Sequence, residues 1–370
     1  MPGFRYVLTN EDSGKPLKAI VKEQFAFSSR LMSKLRRAGL IKVNGENTAN
    51  WIGLKPGDVV TVDMPEERSE FPPEDIPVDV IYEDEYILVV NKQPGIVVHP
   101  TKGNPCHTLL NGVMKKIIDD AKDEDGNINE AKIYKIRLVN RLDMNTSGLL
   151  IIAKNPYVQA DLVKQMRSSM VKRYIALNEG IIREDSGIID LPLGRPDENE
   201  VERWVVPVEE GGQDSLTQYS VLKRYSCPHS MVYGSEAAGG VIEEKLIDGY
   251  TLTELKLETG RTHQIRIHTA AMGHPVVGDH LYCHGDPFEY RRVYGDPRPP
   301  LTGEKGPRME TNPEVVSWIM ERQALHAFSL DFIHPISGEK MHFEADLPND
   351  FKNALKLISE PSGGSSNEHT

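Results

Sequence analysis

This 370-residue sequence lacks the usual features of a secreted protein, a membrane protein or a protein with a structural metal site. The three cysteines, Cys106, Cys227 and Cys283, are far apart and form no Cys-x-x-Cys pair. This spacing argues against a disulfide framework and against a structural zinc site. The chain has no apolar run of about eighteen residues, and its N-terminal segment lacks the pattern of a signal peptide. We therefore expect a soluble, cytoplasmic protein without a membrane partner.

Cofactor-binding signatures are also missing. The sequence has neither the glycine fingerprint of dinucleotide-binding folds nor a P-loop, so we expect no cofactor. Five histidines near Asp279 could suggest a metal site, but their spacing fits neither His-Glu-x-x-His nor another helical ligand pair. They are His263, His268, His274, His280 and His284. We expect no bound metal, and a metal-dependent hydrolase remains an alternative that a chelator would test.

Positive charge is scarce overall and concentrated in one segment. The net charge of -12 argues against a chain that coats nucleic acid indiscriminately. Residues 18–42 nevertheless hold seven basic side chains and one acidic side chain, a net charge of +6. This asymmetry indicates a local surface for an anionic partner, and a solvated helix face without a ligand is the alternative.

The basic segment belongs to a predicted small module. Residues 15–25 and 29–38 are predicted helices, and residues 41–43 and 59–62 are predicted strands. The run Arg-Arg-Ala-Gly-Leu-Ile-Lys-Val-Asn-Gly from Arg36 and the run Leu-Lys-Pro-Gly-Asp-Val-Val from Leu54 resemble a known RNA-binding module. That module is shared by a small-subunit ribosomal protein, tyrosyl-tRNA synthetases and several RNA-modifying enzymes. The resemblance implies that the basic second helix contacts RNA, with Arg30, Lys34, Arg36, Arg37 and Lys42 as contact residues.

An unusual carboxylate lies in the stretch from residue 137 to residue 155. Asp143 is placed between two apolar runs, 136–139 and 149–153, and precedes the turn residues Thr146, Ser147 and Gly148. Charged side chains are rarely buried unless they are paired or functional, so Asp143 is expected to have a cationic partner. A side chain that only caps the turn is the alternative at this point.

A second stretch, residues 255–273, supplies a candidate partner. It predicts a strand, the Thr259-Gly260 turn and a helix that begins near Thr262 and stops at Gly273. Arg266 is flanked by Ile265 and Ile267, which makes it the best cation for a buried aspartate.

Three motifs now occur in order behind the basic module. Asn-Arg-Leu-Asp-x-x-Thr-Ser-Gly-Leu, Lys-x-Tyr-x-Ala-Leu and Gly-Arg-Thr-His-Gln-Ile-Arg-Ile-His resemble the RluA/RluD family of pseudouridine synthases, which modify ribosomal and transfer RNA. The resemblance implies an α+β fold with a mixed, mostly antiparallel central sheet, flanking helices and a catalytic cleft. It also implies that Asp143 is the catalytic aspartate, Tyr174 the active-site tyrosine and Arg266 the arginine paired with the aspartate.

Further residues follow from the same resemblance. Arg141 corresponds to the side chain that fills the gap left by the flipped base, and Arg261 and His263 are expected to contact RNA. Asn140 departs from the family, which usually has histidine there. We expect this change to affect how RNA is positioned more than the activity.

The expected domains are an RNA-binding module (1–68), a Pro/Glu-rich linker (69–77), a catalytic domain (78–358) and a disordered tail (359–370). Within the catalytic domain, Asn155 and Pro156 begin a helix, residues 172–177 form a strand, and residues 226–249 form an irregular inserted loop.

The predicted reaction converts uridine in structured RNA into pseudouridine. It needs an ionised carboxylate at the ribose, which an arginine partner favours. The carboxylate can attack carbon 1′ or act as a base at carbon 2′, and the sequence leaves both routes open. The resemblance favours large-subunit ribosomal RNA over transfer RNA as the substrate, and a monomer is expected. An RNA-binding or assembly protein that has lost activity is the alternative from another class.

Overall fold

The computed structural model describes most of the chain. The described residues are 4–25, 27, 29–49, 52–64, 69, 71–101, 103–195, 203–233, 243–279, 281–282 and 319–359. The helices are α1 (Leu17–Phe25), α2 (Ser29–Arg37), α3 (Leu109–Asp120), α4 (Pro156–Met166), α5 (Gln264–Ala271) and α6 (Asn349–Ser359). The strands are β1 (Phe4–Val7), β2 (Ile41–Val43), β3 (Glu46–Asn47), β4 (Val59–Val62), β5 (Asp79–Glu83), β6 (Ile87–Lys92), β7 (Arg137–Leu138), β8 (Ser147–Ala153), β9 (Val171–Glu179), β10 (Ser186–Asp190), β11 (Leu193–Gly194), β12 (Trp204–Val205), β13 (Leu216–Tyr233), β14 (Glu243–Leu257), β15 (Leu325–Ile333) and β16 (Lys340–Glu344).

The N-terminal residues form a small sheet with its own apolar core. Its strand order is β1-β4-β2-β3, and α1 and α2 supply apolar side chains to the same cluster. Ile20 from α1 and Leu35 from α2 are fully buried against Val60 and Val62 of β4. The predicted pair of helices and the strands 41–43 and 59–62 are confirmed, whereas β1 was not predicted.

The Pro/Glu-rich segment is extended and packs along α3. The Asn111 side chain donates a hydrogen bond to the Pro72 carbonyl at 2.8 Å, and the Glu74 N–H donates to the Asn111 carbonyl at 3.2 Å. A Cβ added to Gly112 would lie 2.7 Å from the Ile76 carbonyl oxygen. These contacts attach the described part of residues 69–77 to the larger sheet.

The larger sheet organises the rest of the described chain. Its order is β10-β13-β14-β9-β15-β8-β6-β5, with β16 paired to β15 and β7 paired to β8. The pairing of β15 with β8 is parallel, and the other described pairings in this sheet are antiparallel. The predicted α+β fold with a mixed, mostly antiparallel sheet is therefore confirmed.

Strand β8 is buried on both faces, which explains its unbroken apolar sequence. Leu150 and Ile152 face the core cluster that contains α3, and Leu149 and Ile151 face the cluster that contains α4. Successive side chains of a strand point to opposite faces, so a strand covered on both sides is apolar at every position. The stretch that carries Asp143 thus leads into the centre of the sheet.

The predicted surface loop at residues 226–249 is wrong where the structure describes it. Residues 216–233 and 243–257 form the long antiparallel pair β13 and β14. Two register shifts, between Val221 and Lys223 and between Ser226 and His229, interrupt the alternation that marks a strand in the sequence. Residues 234–242 lie outside the described residues.

The C-terminal end also differs from the expectation. Helix α6 was not predicted, and it includes Ser359, which the prediction had assigned to a disordered tail. The remaining residues of that predicted tail lie outside the described part. No helix within the described ranges is both long and apolar enough to cross a membrane.

Candidate active site

Asp143 lies in the connection between β7 and β8, at the edge where β8 meets β15. The turn after it closes with a hydrogen bond from the Thr146 N–H to the Asp143 carbonyl at 3.2 Å. Gly148 follows with φ at +113°, and a Cβ there would lie 2.3 Å from the Ala327 carbonyl oxygen of β15. Only glycine fits this close approach without strain. Position 148 therefore requires glycine. The Asp143 side chain, five residues earlier, is 26% exposed.

The structure brings Arg266 to Asp143, as the apolar surroundings of both residues predicted. Arg266 lies on α5, and its Nη1 donates to Asp143 Oδ2 at 3.1 Å. The capping alternative concerned the carboxylate of Asp143, whereas the turn bond from Thr146 uses the main-chain carbonyl. The Asp143 carboxylate therefore pairs with an arginine that is 123 positions away in the sequence.

A second carboxylate, Asp279, fixes the other side of Arg266. Arg266 Nε donates to Asp279 Oδ2 at 2.6 Å, and Nη2 donates to Oδ1 at 2.7 Å. Asp279 is fully buried, and its Oδ1 also accepts the N–H of Leu281 at 3.0 Å. Burial lowers the pKa of Arg266, but the hydrogen bonds and charge of Asp279 outweigh it, so the net pKa is raised. Arg266 is therefore a permanent, oriented cation beside Asp143.

The sequence prediction missed the role of Asp279, although a signal was present. Asp279 follows the apolar residues Val276 and Val277, which is the same pattern that singled out Asp143. Gly278 precedes it with φ at +71°, and a Cβ there would lie 2.3 Å from the Arg322 carbonyl oxygen. The sequence pattern around Asp279 indicated only a possible metal ligand.

His263 borders the same carboxylate. It precedes α5 in a left-handed conformation with φ at 58°, and its Nε2 lies 3.8 Å from Asp143 Oδ2. Its Nδ1 is 2.8 Å from the Tyr282 hydroxyl. Burial lowers the pKa of His263, and Arg266 acts in the same direction while Asp143 opposes it. At neutral pH the imidazole is therefore mainly uncharged, and Arg266 supplies the positive charge at Asp143.

Tyr174 forms another wall of the site. It lies on β9, opposite Leu255 of β14 and Ala327 of β15, and only 9% of its surface is exposed. Burial raises the pKa of Tyr174, and the negative charge of Asp143 raises it further. The hydroxyl is therefore protonated across the physiological pH range.

These side chains line one open cleft with a volume of about 60 Å³. Six of the predicted site residues line it: Arg141, Asp143, Tyr174, Arg261, His263 and Arg266. Arg141 is exposed, and Arg261 Nε donates to the Asp214 carbonyl at 3.1 Å. The cleft therefore combines one carboxylate, one aromatic ring and several cationic groups.

The other predicted RNA-binding residues belong to the N-terminal elements α2 and β2 and do not line the cleft. Lys34, Arg36 and Arg37 are exposed on α2, and Lys42 is half-buried on β2. The side chain of Arg30 lies outside the described residues. The structure thus places the predicted contact residues in two groups.

Asn140 has a structural role in this chain. Its side-chain N–H donates to the Leu149 carbonyl at 3.2 Å, and its side-chain oxygen accepts the Ile151 N–H at 2.8 Å. Both bonds extend the pairing of β7 with β8 toward Asp143. An asparagine at this position therefore supports the strand pair on either side of the turn that carries Asp143.

The histidines near Asp279 do not converge where they are described. His268 contacts the Thr217 hydroxyl and the Leu191 carbonyl, and His274 contacts the Glu179 carbonyl. His280 and His284 lie outside the described residues. Within the described ranges, the side chains that come close enough to share a metal ion are Glu74, Cys106 and His107, and none of them lines the cleft.

Comparisons with known proteins identify the family of the chain. The profile of the RNA pseudouridylate synthase family matches residues 86–271. An uncharacterized RNA pseudouridine synthase of Aquifex aeolicus is 35% identical over 339 residues, which cover 91% of each chain. The ribosomal large subunit pseudouridine synthase D of Neisseria meningitidis serogroup B is 36% identical over 305 residues, 82% of this chain and 67% of that protein. An uncharacterized RNA pseudouridine synthase of Bacillus subtilis is 32% identical, with 90% of this chain and 96% of that protein covered. The chain therefore belongs to the RNA pseudouridylate synthase family and is an isomerase that converts uridine in RNA into pseudouridine.

Proposed function

We propose that this enzyme uses Asp143 as its catalytic carboxylate and acts on large-subunit ribosomal RNA. The observation that carries the first part is the 3.1 Å contact between Arg266 and Asp143 inside an open cleft. Asp143 is exposed enough to reach a substrate, whereas Asp279 is fully buried behind the same arginine. The exposed carboxylate is therefore the one that can meet a ribose.

The chemistry requires an anion at the sugar. The bond from ribose carbon 1′ to ring nitrogen breaks, the uracil turns over, and carbon 5 of the ring bonds to carbon 1′. Carbon 5 then loses its proton and the released ring nitrogen gains one, so the product is an isomer of the substrate. No group is oxidised or reduced, so the reaction needs no cofactor. Asp143 either attacks carbon 1′ or removes the proton at carbon 2′, and Arg266 stabilises the carboxylate anion in both routes.

Tyr174 is proposed to contact the uracil. Its ring is a wall of the cleft, and its protonated hydroxyl is a hydrogen-bond donor at neutral pH. A base must leave its stack to enter this cleft, which costs a few kcal/mol. Arg141, exposed at the mouth of the cleft, is proposed to occupy the space the base leaves, and Arg261 and His263 are proposed to contact the neighbouring nucleotides.

The choice of RNA rests on the relatives and on the N-terminal sheet. The Neisseria meningitidis relative is named for the ribosomal large subunit. Residues 1–68 are proposed to form an RNA-binding domain, in which the exposed α2 side chains Lys34, Arg36 and Arg37 contact phosphates. Lys42 and Arg30 are proposed to belong to the same surface. We infer that the enzyme acts in the cytoplasm as a monomer.

A direct test uses unmodified large-subunit ribosomal RNA and transfer RNA with the purified full chain. Pseudouridine mapping is expected to show modification at defined uridines of the ribosomal RNA. Modification of transfer RNA alone would contradict the proposed substrate without affecting the assigned chemistry. Replacing Arg36 and Arg37 by alanine is expected to weaken RNA binding and to lower the salt dependence by about one unit per lost phosphate contact. An unchanged salt dependence would contradict the role of α2.

A further inference from the structure

The catalytic turn, residues 143–147, is held by cationic side chains from three directions. Arg266 contacts the Asp143 carboxylate, as described above. Lys92 Nζ donates to the Met144 carbonyl at 2.7 Å and to the Gln93 carbonyl at 2.8 Å. Arg322 Nη1 donates to the Asn145 carbonyl at 2.9 Å. Three successive residues of the turn therefore each contact a different basic side chain.

Arg322 connects this turn to the C-terminal helix. Its Nε and Nη2 donate to the two carboxylate oxygens of Asp350 at 2.6 and 3.0 Å, and Asp350 lies in the first turn of α6. Burial raises the pKa of Asp350, but the hydrogen bond and charge of Arg322 outweigh it, so the net pKa is lowered. The Arg322 side chain is 10% exposed. Its planar fork is thus occupied by a carboxylate on one side and by the turn on the other.

The residues after Arg322 continue the contact with the turn. His326 Nδ1 lies 2.9 Å from the Ser147 hydroxyl, and the two residues are paired in the parallel contact between β15 and β8. Gln323 Nε2 lies 3.4 Å from the Thr146 hydroxyl, a weaker contact. Residues 322–326 therefore follow residues 145–147 side by side.

These outside contacts matter because the turn's own hydrogen bond is long. The Thr146 N–H reaches the Asp143 carbonyl at 3.2 Å, whereas Arg322 and Lys92 reach the carbonyls of the turn at 2.9 and 2.7 Å. Hydrogen bonds from charged donors are the stronger class. The Met144 and Asn145 carbonyls belong to the turn that begins at Asp143, so these contacts fix the backbone that follows the carboxylate.

Lys92 is the other side chain that holds a main-chain carbonyl of the turn. It is fully buried, and burial lowers its pKa to about 7, with Arg322 acting in the same direction and Asp143 opposing it. A lysine of this kind donates to carbonyls in both protonation states. Arg322 has a carboxylate partner on α6, Asp350, so its contact with the turn is the one that a change in this helix can weaken.

We propose that the Arg322–Asp350 pair is a positioning device, through which helix α6 fixes Asp143 against Arg266 for catalysis. This proposal rests on the proposed role of Asp143. Neither residue lines the cleft, so both act through the turn and not on the RNA. A displacement of about 1 Å at a reacting group can lower a rate about 100-fold.

The chain offers a matched control for Arg322. Arg322 donates to two main-chain carbonyls, those of Asn145 and Gln323, both at 2.9 Å. Arg224 on β13 likewise donates to two, those of Ile182 at 2.7 Å and Arg183 at 3.0 Å. It also pairs with a carboxylate, Asp185, at 2.7 Å. None of these residues lines the cleft. Arg224→Met and Asp185→Asn therefore remove the same kinds of contact away from the catalytic turn.

The experiment compares single-turnover rates and RNA affinity for the full-length variants. We expect Arg322→Met to lower the rate about 100-fold and Asp350→Asn to lower it about 10-fold, with RNA affinity changed less than about 2-fold. Arg322→Lys is expected to recover part of the rate, because it keeps a cation near Asn145. The two control variants should keep the rate of the wild type.

Hydrogen exchange of the 143–147 peptide provides a readout that does not depend on activity. The proposal predicts faster exchange there in Arg322→Met and Asp350→Asn, and unchanged exchange in the controls. Normal rates in folded variants, or an equal loss in Arg224→Met, would overturn the proposal. If Arg322→Met does not fold, Asp350→Asn decides by the same criteria.

The same data separate a failure of this proposal from a failure of the proposed function. If Asp143→Ala remains active, the catalytic assignment is wrong, and the exchange of the turn still tests whether Arg322 holds it. If Asp143→Ala is inactive while the Arg322 and Asp350 variants have normal rates and normal exchange, the positioning role alone is refuted.

Discussion

Replacing Asp279 by asparagine tests how Arg266 is held in place. The substitution keeps the shape of the side chain but removes its negative charge. The Asp279 carboxylate now accepts two short hydrogen bonds from Arg266, at 2.6 and 2.7 Å. Removing one partner of a buried ion pair costs about 3–5 kcal/mol, because the other charge stays buried. Asparagine keeps one acceptor, so we expect the free energy of unfolding to fall by about 3 kcal/mol, the lower end of that range.

The same substitution should also lower the rate of pseudouridine formation. Arg266 would lose one of the two hydrogen bonds to residue 279 that orient its guanidinium. The guanidinium could then adopt several positions, and only one of them contacts Asp143. We expect a rate loss of about 100-fold at saturating RNA, as for a misplaced catalytic group. Urea unfolding measures the first effect, and single-turnover assays at a temperature where the variant is folded measure the second.

The control for Asp279→Asn is Asp331→Asn. Asp331 pairs with Arg173 at 2.6 Å, but both side chains are about one-third exposed, so the loss of this pair should cost less than about 1 kcal/mol. Asp331→Asn should also leave the rate unchanged. If Asp279→Asn retains the stability and the rate of the control, the two hydrogen bonds between Asp279 and Arg266 do not hold the arginine in place, and this role of Asp279 is refuted.

Three further predictions concern the walls of the site and its supports. Tyr174→Phe keeps the ring and removes the hydroxyl, so single-turnover assays should show a rate loss of about 100-fold with unchanged RNA affinity; an unchanged rate would exclude a role for the hydroxyl. Gly148→Ala places a Cβ 2.3 Å from a carbonyl oxygen, and urea unfolding should show a loss above about 3 kcal/mol, against about 1 kcal/mol for Gly126→Ala, where φ is also positive but the space is open. Burial lowers the pKa of His268 to about 4, so the folded state favours neutral imidazole, and its contribution to stability is complete above pH 6.5 and lost as the pH falls through 4. Unfolding at several pH values should show a loss of about 3 kcal/mol that His268→Gln removes, and an equal loss in that variant would contradict this source of pH dependence.

The sequence predicted the part of the site that depends on isolated charges in apolar runs. Asp143 and Arg266 were both found in this way, and they lie 3.1 Å apart in the structure. Asp279 also follows apolar residues, Val276 and Val277, but the histidines near it in the sequence indicated a possible metal site instead. The roles of all three in the reaction stay predictions, which the substitutions above test.

The fold was predictable where the periodicity of the sequence is clear. The apolar run of β8 and the Asn155-Pro156 start of α4 are local signals, and both elements are present. The predicted strand at Leu255 and Leu257 is the end of β14. The parts of β13 and β14 within residues 226–249 were missed, because a register shift between Ser226 and His229 interrupts the alternation of the pair. The grip of Arg322 on the Asn145 carbonyl joins residues 177 positions apart, and a main-chain acceptor leaves no trace in the sequence.

The most direct test of the central claim is pseudouridine mapping with the Asp143→Ala variant. The purified variant and the wild type are incubated with the same unmodified ribosomal RNA, after circular dichroism and RNA-binding measurements show that both are folded and bind equally. The account predicts pseudouridine at defined positions with the wild type and none with the variant. Normal turnover by Asp143→Ala would contradict the assignment of Asp143 as the catalytic carboxylate.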